Sequence, residues 1–443
     1  MENIELKYRC LARFIVEAET PLMIGSGEND ILTDQLVMKD MNGLPYIPGT
    51  ALTGVLRQML VNELQDDNVV NNLFGFQKGT EGYGSRIIFS EARIVGENKK
   101  IADGLALPSE TVTSVLKTLP IRQHVLITAN GSTKKGCRFD EEIVYKGTRF
   151  CFEVEFIANR ESEKDLFVSI LSNINKDSFR IGGNTRKGFG QLSVIESKIT
   201  RLDLSKEQDL KSYVEKTSSL NDPFWDNIKS EGLKEKQDDF ESINIAFKAK
   251  DFLLLGSGFG NENADITPMI EDVLIWENEI PKLESFFVIP GTSIKGTLAH
   301  RTTFHYLLKR GDSLEDLFKN SKSLLNEEPL CKKELFGSTK DEVSVGNVFI
   351  PDIYIPCNKS FREVQPHVVI DAFTGGAVKG KLFQEELLCT NQALSVNIQI
   401  ANKEYSLYVK DAFLKAIEDF KNGMLPLGAA TTRGHGTFQA IKK

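Results

Sequence analysis

Two glycine-rich stretches in this chain carry the residue types that hold phosphate. They are Arg180-Ile-Gly-Gly-Asn-Thr-Arg-Lys-Gly-Phe-Gly190 and Leu427-Gly-Ala-Ala-Thr-Thr-Arg-Gly-His-Gly436. Glycines such as Gly188 and Gly434 let backbone N–H groups approach an anion closely, and Arg186, Lys187 and Arg433 supply charge. Glycine-rich loops also occur as plain tight turns, but duplication in matching places favours phosphate binding. Neither stretch ends in Gly-Lys-Ser/Thr and neither reads G-x-G-x-x-G, so nucleotide hydrolysis and dinucleotide binding are not expected. Two helix starts, Pro48-Gly-Thr50 and Pro290-Gly-Thr292, offer further anion sites through their unpaired N–H groups. Thr50 and Thr292 are expected there as N-caps, with Thr53, Arg57, Ser293 and Lys295 close by. His124 and His367 share a register suited to packing at the base of a hairpin, whereas His300 and His305 read as structural or surface residues. No cluster has metal-ligand spacing, and no Ser/His/Asp set is legible.

Those loops need a scaffold, and the bulk properties bound it. With 443 residues the chain is too long for one ordinary core, so two domains are expected. A hydrophobic share of 41% with 26% charged residues is globular composition. No apolar run approaches the roughly 20 residues that span a bilayer. The start, Met1 to Lys7, lacks the basic-then-apolar order of a signal peptide. Six scattered cysteines without a C-x-x-C pair argue against zinc and disulfide frameworks and suit a reducing cytoplasm. The net charge of −8 excludes a uniformly basic nucleic-acid binder and leaves room for a local basic groove.

An internal repeat settles the organisation. Ile24-Gly25-Ser26-Gly27 returns as Leu255-Gly256-Ser257-Gly258, and Ile47-Pro-Gly-Thr-Ala-Leu-Thr-Gly-Val-Leu56 as Ile289-Pro-Gly-Thr-Ser-Ile-Lys-Gly-Thr-Leu298. Leu73-Phe-Gly75 returns as Leu335-Phe-Gly337, and His124-Val-Leu-Ile127 as His367-Val-Val-Ile370. Thr185-Arg-Lys-Gly-Phe-Gly190 is answered by Thr432-Arg-Gly-His-Gly436. The order is kept throughout, so the expected modules are 1–201 and 243–443, joined by a charged linker, 202–242, with room for one helix. Each module opens with an alternating strand (Ile243, Ile245, Phe247 and Ala249 on one face of the second) and then a loop and a helix. Strand, helix and later strands without regular alternation give an α+β class with a ferredoxin-like core.

These blocks, with His367-Val-Val-Ile-Asp-Ala-Phe-Thr-Gly-Gly-Ala-Val-Lys-Gly-Lys-Leu-Phe383, resemble the RAMP superfamily, and within it the backbone subunits of type III CRISPR–Cas effector complexes. Two modules in one chain look like the tandem fusions of type III-D-like systems. The resemblance implies two ferredoxin-like, RNA-recognition-motif-like domains, a bound CRISPR RNA, a complementary target RNA, other effector subunits and a cytoplasmic setting. It makes the 367–383 stretch a thumb hairpin that wedges into the guide–target duplex, with Thr374 and Lys379 as contacts. It also implies a target-cutting loop aspartate between the Gly-Ser-Gly loop and Ile-Pro-Gly, at Asp34. In the second copy, Asp265 stands seven residues after Gly258, as Asp34 does after Gly27, and Asp272 is the alternative. A loop aspartate is ordinarily a solvated turn residue. One carboxylate can nevertheless cut RNA by positioning a divalent ion (magnesium or manganese) or the 2′-hydroxyl against a distorted phosphate. A scaffold that binds while other subunits cut is the alternative. A guide-processing ribonuclease of the same superfamily would want a catalytic histidine or tyrosine near the early helix.

Overall fold

A computed structural model describes residues 7–31, 33–105, 111–127, 133–233, 239–311, 328–338 and 344–441. The opening strand Tyr8–Ala18 buries Cys10, Ala12, Phe14 and Val16 on one face. It pairs antiparallel with Arg149–Ala158 on one side and Leu192–Asp203 on the other, and Ile87–Phe89 adds beyond Arg149–Ala158. Helix Gly49–Leu64 lies between the first and second of these strands in sequence, and Glu163–Leu171 between the third and fourth. The sheet order second, third, first, fourth with these two crossover helices is the ferredoxin-like arrangement. Leu52, Leu56 and Leu60, spaced by one helical turn, seat the first helix on the sheet.

The second module repeats this order. Val348–Phe349 pairs with Ala393–Ala401, which pairs with Phe240–Ala249, which pairs with Phe438–Ala440. Gly291–Arg310 and Val409–Lys421 are its crossover helices, and it has a core of its own. The registers coincide. Ala18 pairs with Leu192 as Ala249 pairs with Phe438, and Ile87 faces Phe156 as Val348 faces Ile400.

The segment read as a charged linker is not a free tether. Leu202 and Asp203 complete a strand, Glu207–Glu215 is a helix, and Pro223–Asn227 is a turn that carries the fully buried Trp225. Trp225 packs with Leu11 and Leu202 on the sheet face that the crossover helices leave uncovered, and its Nε1–H donates to Glu153 at 2.5 Å. Residues 234–238 of the linker lie outside the described residues.

Candidate nucleic-acid interface

Each module inserts a long hairpin between its second and third core strands. Ile121–Ile127 pairs with Thr133–Glu142, and Arg362–Ile370 with Ala377–Leu388. Both ladders slip one residue beyond the matched histidine region, between Val125 and Ile127 and between Val368 and Ile370. The outer halves are apolar yet exposed: Val125, Leu126 and Ile127 in the first, Val368, Val369, Ile370, Leu382 and Phe373 in the second. Phe373 is 98% exposed, on a turn where Asp371 accepts the N–H groups of Phe373 and Thr374 and the Thr374 hydroxyl. Lys379 is exposed on the returning strand Ala377–Leu388. Apolar surface held in water on a protruding ribbon marks a place for a partner.

The roots of the hairpins are built alike. His124 stacks on Phe139 with centroids 4.9 Å apart, and His367 on Phe383 at 5.1 Å. Nε2 of His124 is 2.5 Å from Glu141 Oε1, and Nε2 of His367 is 3.0 Å from Glu385 Oε2. Burial alone would raise the Glu141 pKa. The hydrogen bond from His124, the nearby Lys187 and the Asn184 amide outweigh it and hold the carboxylate below its usual range.

Both loop aspartates dock on these roots. Asp34 Oδ2 accepts the N–H of Asp140 at 3.0 Å, and Asp265 Oδ2 accepts the N–H of Gln384 at 2.8 Å. Asp140 follows Phe139 just as Gln384 follows Phe383, so Asp34 and Asp265 occupy one position in the two modules. Asp272, the alternative, lies in strand Ile270–Glu277 and bonds the Ser285 hydroxyl at 2.6 Å, away from that loop. The two surroundings differ in one respect. Beside Asp34 stands a second carboxylate, Asp140, whose buried Oδ1 has no hydrogen-bond partner, whereas beside Asp265 the neighbour is the neutral Gln384. The first module thus carries a carboxylate at the residue whose N–H holds the loop aspartate, where the second module has none. No group of three or more metal-ligating side chains occurs among the described residues.

The Gly-Ser-Gly loops close on themselves. The Ser26 hydroxyl donates to Leu36 O and accepts from Glu28 N, and the Ser257 hydroxyl donates to Phe259 O. Gly27 and Gly258 take φ of +79° and +87°, where a side chain would be strained. Gly25 and Gly256 form bridges to Val37 and Pro268.

The helix starts correct the capping expectation. Pro48 and Pro290 are the N-caps, and no side chain caps either helix. Thr50 is exposed in the first turn, and the Thr53 hydroxyl bonds back to Gly49 O. Arg57 is tied to Asn71. At the second helix the Gly291 N–H donates to Asp352 Oδ1 at 2.7 Å, so the protein's own carboxylate fills the anion position expected near Thr292 and Ser293.

The late glycine loops are one residue out of the register read from sequence. Gly183 N–H bonds Met23 O as Ala429 N–H bonds Leu254 O, and both 3-10 turns, Thr185–Lys187 and Thr431–Arg433, follow a residue at φ +57°. Lys187 therefore matches Arg433, and Arg186 matches Thr432. The repeated threonine at 431–432 causes the slip. Arg433 reaches Glu385 at 2.7 Å, and the Lys187 ammonium lies 4.8 Å from the Phe139 ring, so both late loops meet the hairpin roots.

In the first module this loop also meets the second module. The 185–187 turn touches helix Gly291–Arg310. Lys295, on that helix, has its pKa pushed down to about 8 by burial and by repulsion from Lys187, Arg186 and Lys332. Burial likewise lowers Lys187 and brings Arg186 to about 10. Partly buried cations thus crowd together at the junction, where each weakens its neighbour's hold on a proton. Around it, the Phe349 ring lies between the guanidinium groups of Arg180 (4.3 Å) and Arg186 (4.1 Å). Arg122 binds Glu271 at 2.7 and 2.6 Å and Asp352 at 2.8 Å. Neither Arg122 nor Arg180 was singled out for a role at the module boundary from the sequence, because their partners lie 149 to 230 residues away.

Comparison with known proteins agrees with this architecture. The RAMP superfamily model matches twice, over residues 15–193 and 246–439. The CRISPR system Cms endoribonuclease Csm3 of Methanocaldococcus jannaschii is 28% identical over 221 residues, which is 84% of that protein and 45% of this chain. Two matches that coincide with the two ferredoxin-like cores place the chain in the RAMP superfamily, as a tandem of two of its modules.

Proposed function

We propose that this protein is a CRISPR-RNA-binding backbone subunit of a type III effector complex, and that its loop aspartates cut the complementary target RNA. The observation that carries the reading is the convergence, in each module, of an aspartate loop, a hairpin with an exposed apolar outer half, and a cation-bearing glycine turn on one hairpin root. The likeness to an archaeal protein named as a CRISPR endoribonuclease supports it. In this reading the cation knot around Lys295 receives guide phosphates, which position RNA without reading its sequence. The hairpins wedge into the guide–target duplex, and Asp34 and Asp265 face the displaced target backbone. A bound divalent ion would supply charge neutralisation at the cleaved phosphate. Asp34 and Asp140 are the residues that would hold it in the first module. The protein's own part is to fix the carboxylate through the Asp140 and Gln384 N–H groups, so that it meets a rigidly held phosphate.

A binding-only role is favoured for the second module by one observation, the Gln384 that stands where the first has Asp140. Guide processing is the less favoured reading: helix Gly49–Leu64 itself contains neither histidine nor tyrosine, the nearby Tyr46 carries the Arg93 guanidinium 5.0 Å from its ring centroid, and His305 on the second helix is engaged by Asp419. The test is to assemble the chain with a guide RNA and its partner subunits and to map cuts on a labelled target. Cuts at regularly displaced positions support the reading, and an intact target reduces the chain to a scaffold.

A further inference from the structure

The junction between the two modules is an arginine lock, and comparison of the two copies shows what has become of it on the outer faces. On the trailing face of the first module, Arg122, Arg180 and Arg186 grip the leading face of the second at Glu271, Asp352 and Phe349. Backbone pairings fix the counterpart of each. His124 and His367 share a register, so Arg122 corresponds to Gln365. The late-loop bonds make Arg180 correspond to Pro426 and Arg186 to Thr432. The trailing face of the second module thus lacks all three arginines.

The leading face of the first module is altered too. Met38 N–H bonds Ile24 O as Met269 N–H bonds Leu255 O, so Asp40 corresponds to Glu271. Ile47 pairs with Ala92 as Ile289 pairs with Ile353, so Glu91 corresponds to Asp352 and Arg93 to Tyr354. The acidic pair is kept, but it is bridged from within. Arg93 reaches Asp40 at 3.1 Å and also bonds Glu91, whereas Tyr354 gives its pair only a neutral hydroxyl, to Glu271 at 3.3 Å, and leaves both charges to the incoming Arg122. At the place of Phe349 stands Ile88, which is 49% exposed.

We infer that the lock is a joint used once, inside the chain, and that the outer faces are made so that one copy does not stack end to end on another through it. Arg93 plugs the socket on the leading face, and Gln365, Pro426 and Thr432 remove the key from the trailing face. A neighbour at either end is then a different module, one that meets the second module's trailing face without needing a carboxylate pair of its own. Terminal repeats with altered outer faces serve the same end in repeat proteins, where an unaltered heterologous contact would propagate without closing. The inference does not depend on RNA binding.

The experiment compares the purified full chain with a grafted variant by sedimentation across a concentration series. The unmodified chain is expected to keep the mass of one copy. The variant Arg93→Tyr with Gln365→Arg, Pro426→Arg and Thr432→Arg opens the socket and restores the key. Its weight-average mass is expected to rise at least roughly twofold with concentration, as an open head-to-tail contact requires. Adding Asp40→Asn and Glu91→Gln should return it to one copy. Unfolding midpoints for each chain separate a folded variant from a collapsed one. Self-association of the unmodified chain that Asp40→Asn with Glu91→Gln abolishes would overturn the inference. So would a grafted variant that is folded and remains a single copy.

Discussion

Arg122 of the first module presents Nε and one terminal nitrogen to the two carboxylate oxygens of Glu271 in the second, at 2.7 and 2.6 Å, with both side chains almost wholly buried. A two-point contact of this kind fixes orientation as well as distance. Its buried position makes loss of one partner far more damaging than loss of a surface pair, because the other charge is left without compensation. Arg122→Ala is therefore expected to destabilise the docked pair by about 3–5 kcal/mol. Chemical denaturation should then show two transitions, one per module, where the unmodified chain shows a more concerted one. A single unshifted transition would deny the lock any energetic part.

The aspartates can be tested one module at a time. Asparagine keeps the shape of aspartate and loses its charge. Asp34→Asn is expected to delete one cleavage product and Asp265→Asn another, each with nearly unchanged target affinity. Asp140→Asn should slow the first site alone, since Gln384 already stands at the corresponding place in the second. If Asp272→Asn removed the second product instead, the hairpin-root register would be misassigned. Product maps of an end-labelled target decide.

Guide binding should lean on the matched cations of the late loops, Lys187 and Arg433, with Lys295 between the modules. Lys187→Ala with Arg433→Ala is expected to weaken guides of every spacer sequence alike. It should flatten the salt dependence by ~1.4 in log–log slope for two lost single-strand phosphate contacts. Titrations at several salt concentrations give both numbers, and an unchanged slope would remove the loops from the RNA path.

Lys295 gives a pH signature whose sign is fixed by its environment. Its pKa is depressed, to about 8, so between pH 8 and 10.5 the unfolded chain binds more protons than the folded one. Its contribution to stability therefore rises with pH across that window, and below pH 8 the buried charge costs folding on the order of 3 kcal/mol. Lys295→Met should raise the unfolding midpoint at pH 7, flatten this rise, and weaken RNA binding. If the same change lowered stability at pH 7, the cation knot would be held together by the protein itself and not left waiting for an anion.

The exposed ribbon from Phe373 to Leu382 is expected to exchange its amide hydrogens freely in the complex with guide alone and to be protected when target is added. Equal exchange in both states would make the hairpin a structural arm only.

Much of this architecture was legible in the sequence, because the repeat blocks are the places where backbone geometry is least forgiving. Gly27 and Gly258 mark left-handed turns; the family resemblance pointed to Asp34, and its distance of seven residues from Gly27, counted from Gly258, gave Asp265, and the hairpin roots hold both in the same way. The misreadings have local causes. Thr50 and Thr292 look like caps, but the prolines before them already take the extended conformation of an N-cap, which puts the threonines inside the first turn. The slip in the last loop came from aligning arginine with arginine where lysine is the true counterpart. Trp225 sat in a stretch rich in Lys, Glu and Asp, where average polarity hid a single anchoring ring. Contacts between the modules left no local trace, since nothing in the neighbourhood of Arg122 records a carboxylate 149 residues away.

Gly188 and Gly434 descend from one ancestral position and share one backbone conformation, at φ +95° and +94°. A methyl group on Gly188 would lie 2.4 Å from the Ile350 carbonyl oxygen, while none of the described atoms stands within 4 Å of the same methyl on Gly434. Duplication therefore left two copies with unequal freedom to drift. Asparagine, which tolerates the left-handed region, is open to the second lineage of this residue and closed to the first. Among descendants of this fusion, variation should accumulate at the outer loop while the inner one stays frozen, and the direction in which the tandem was joined is written in that imbalance.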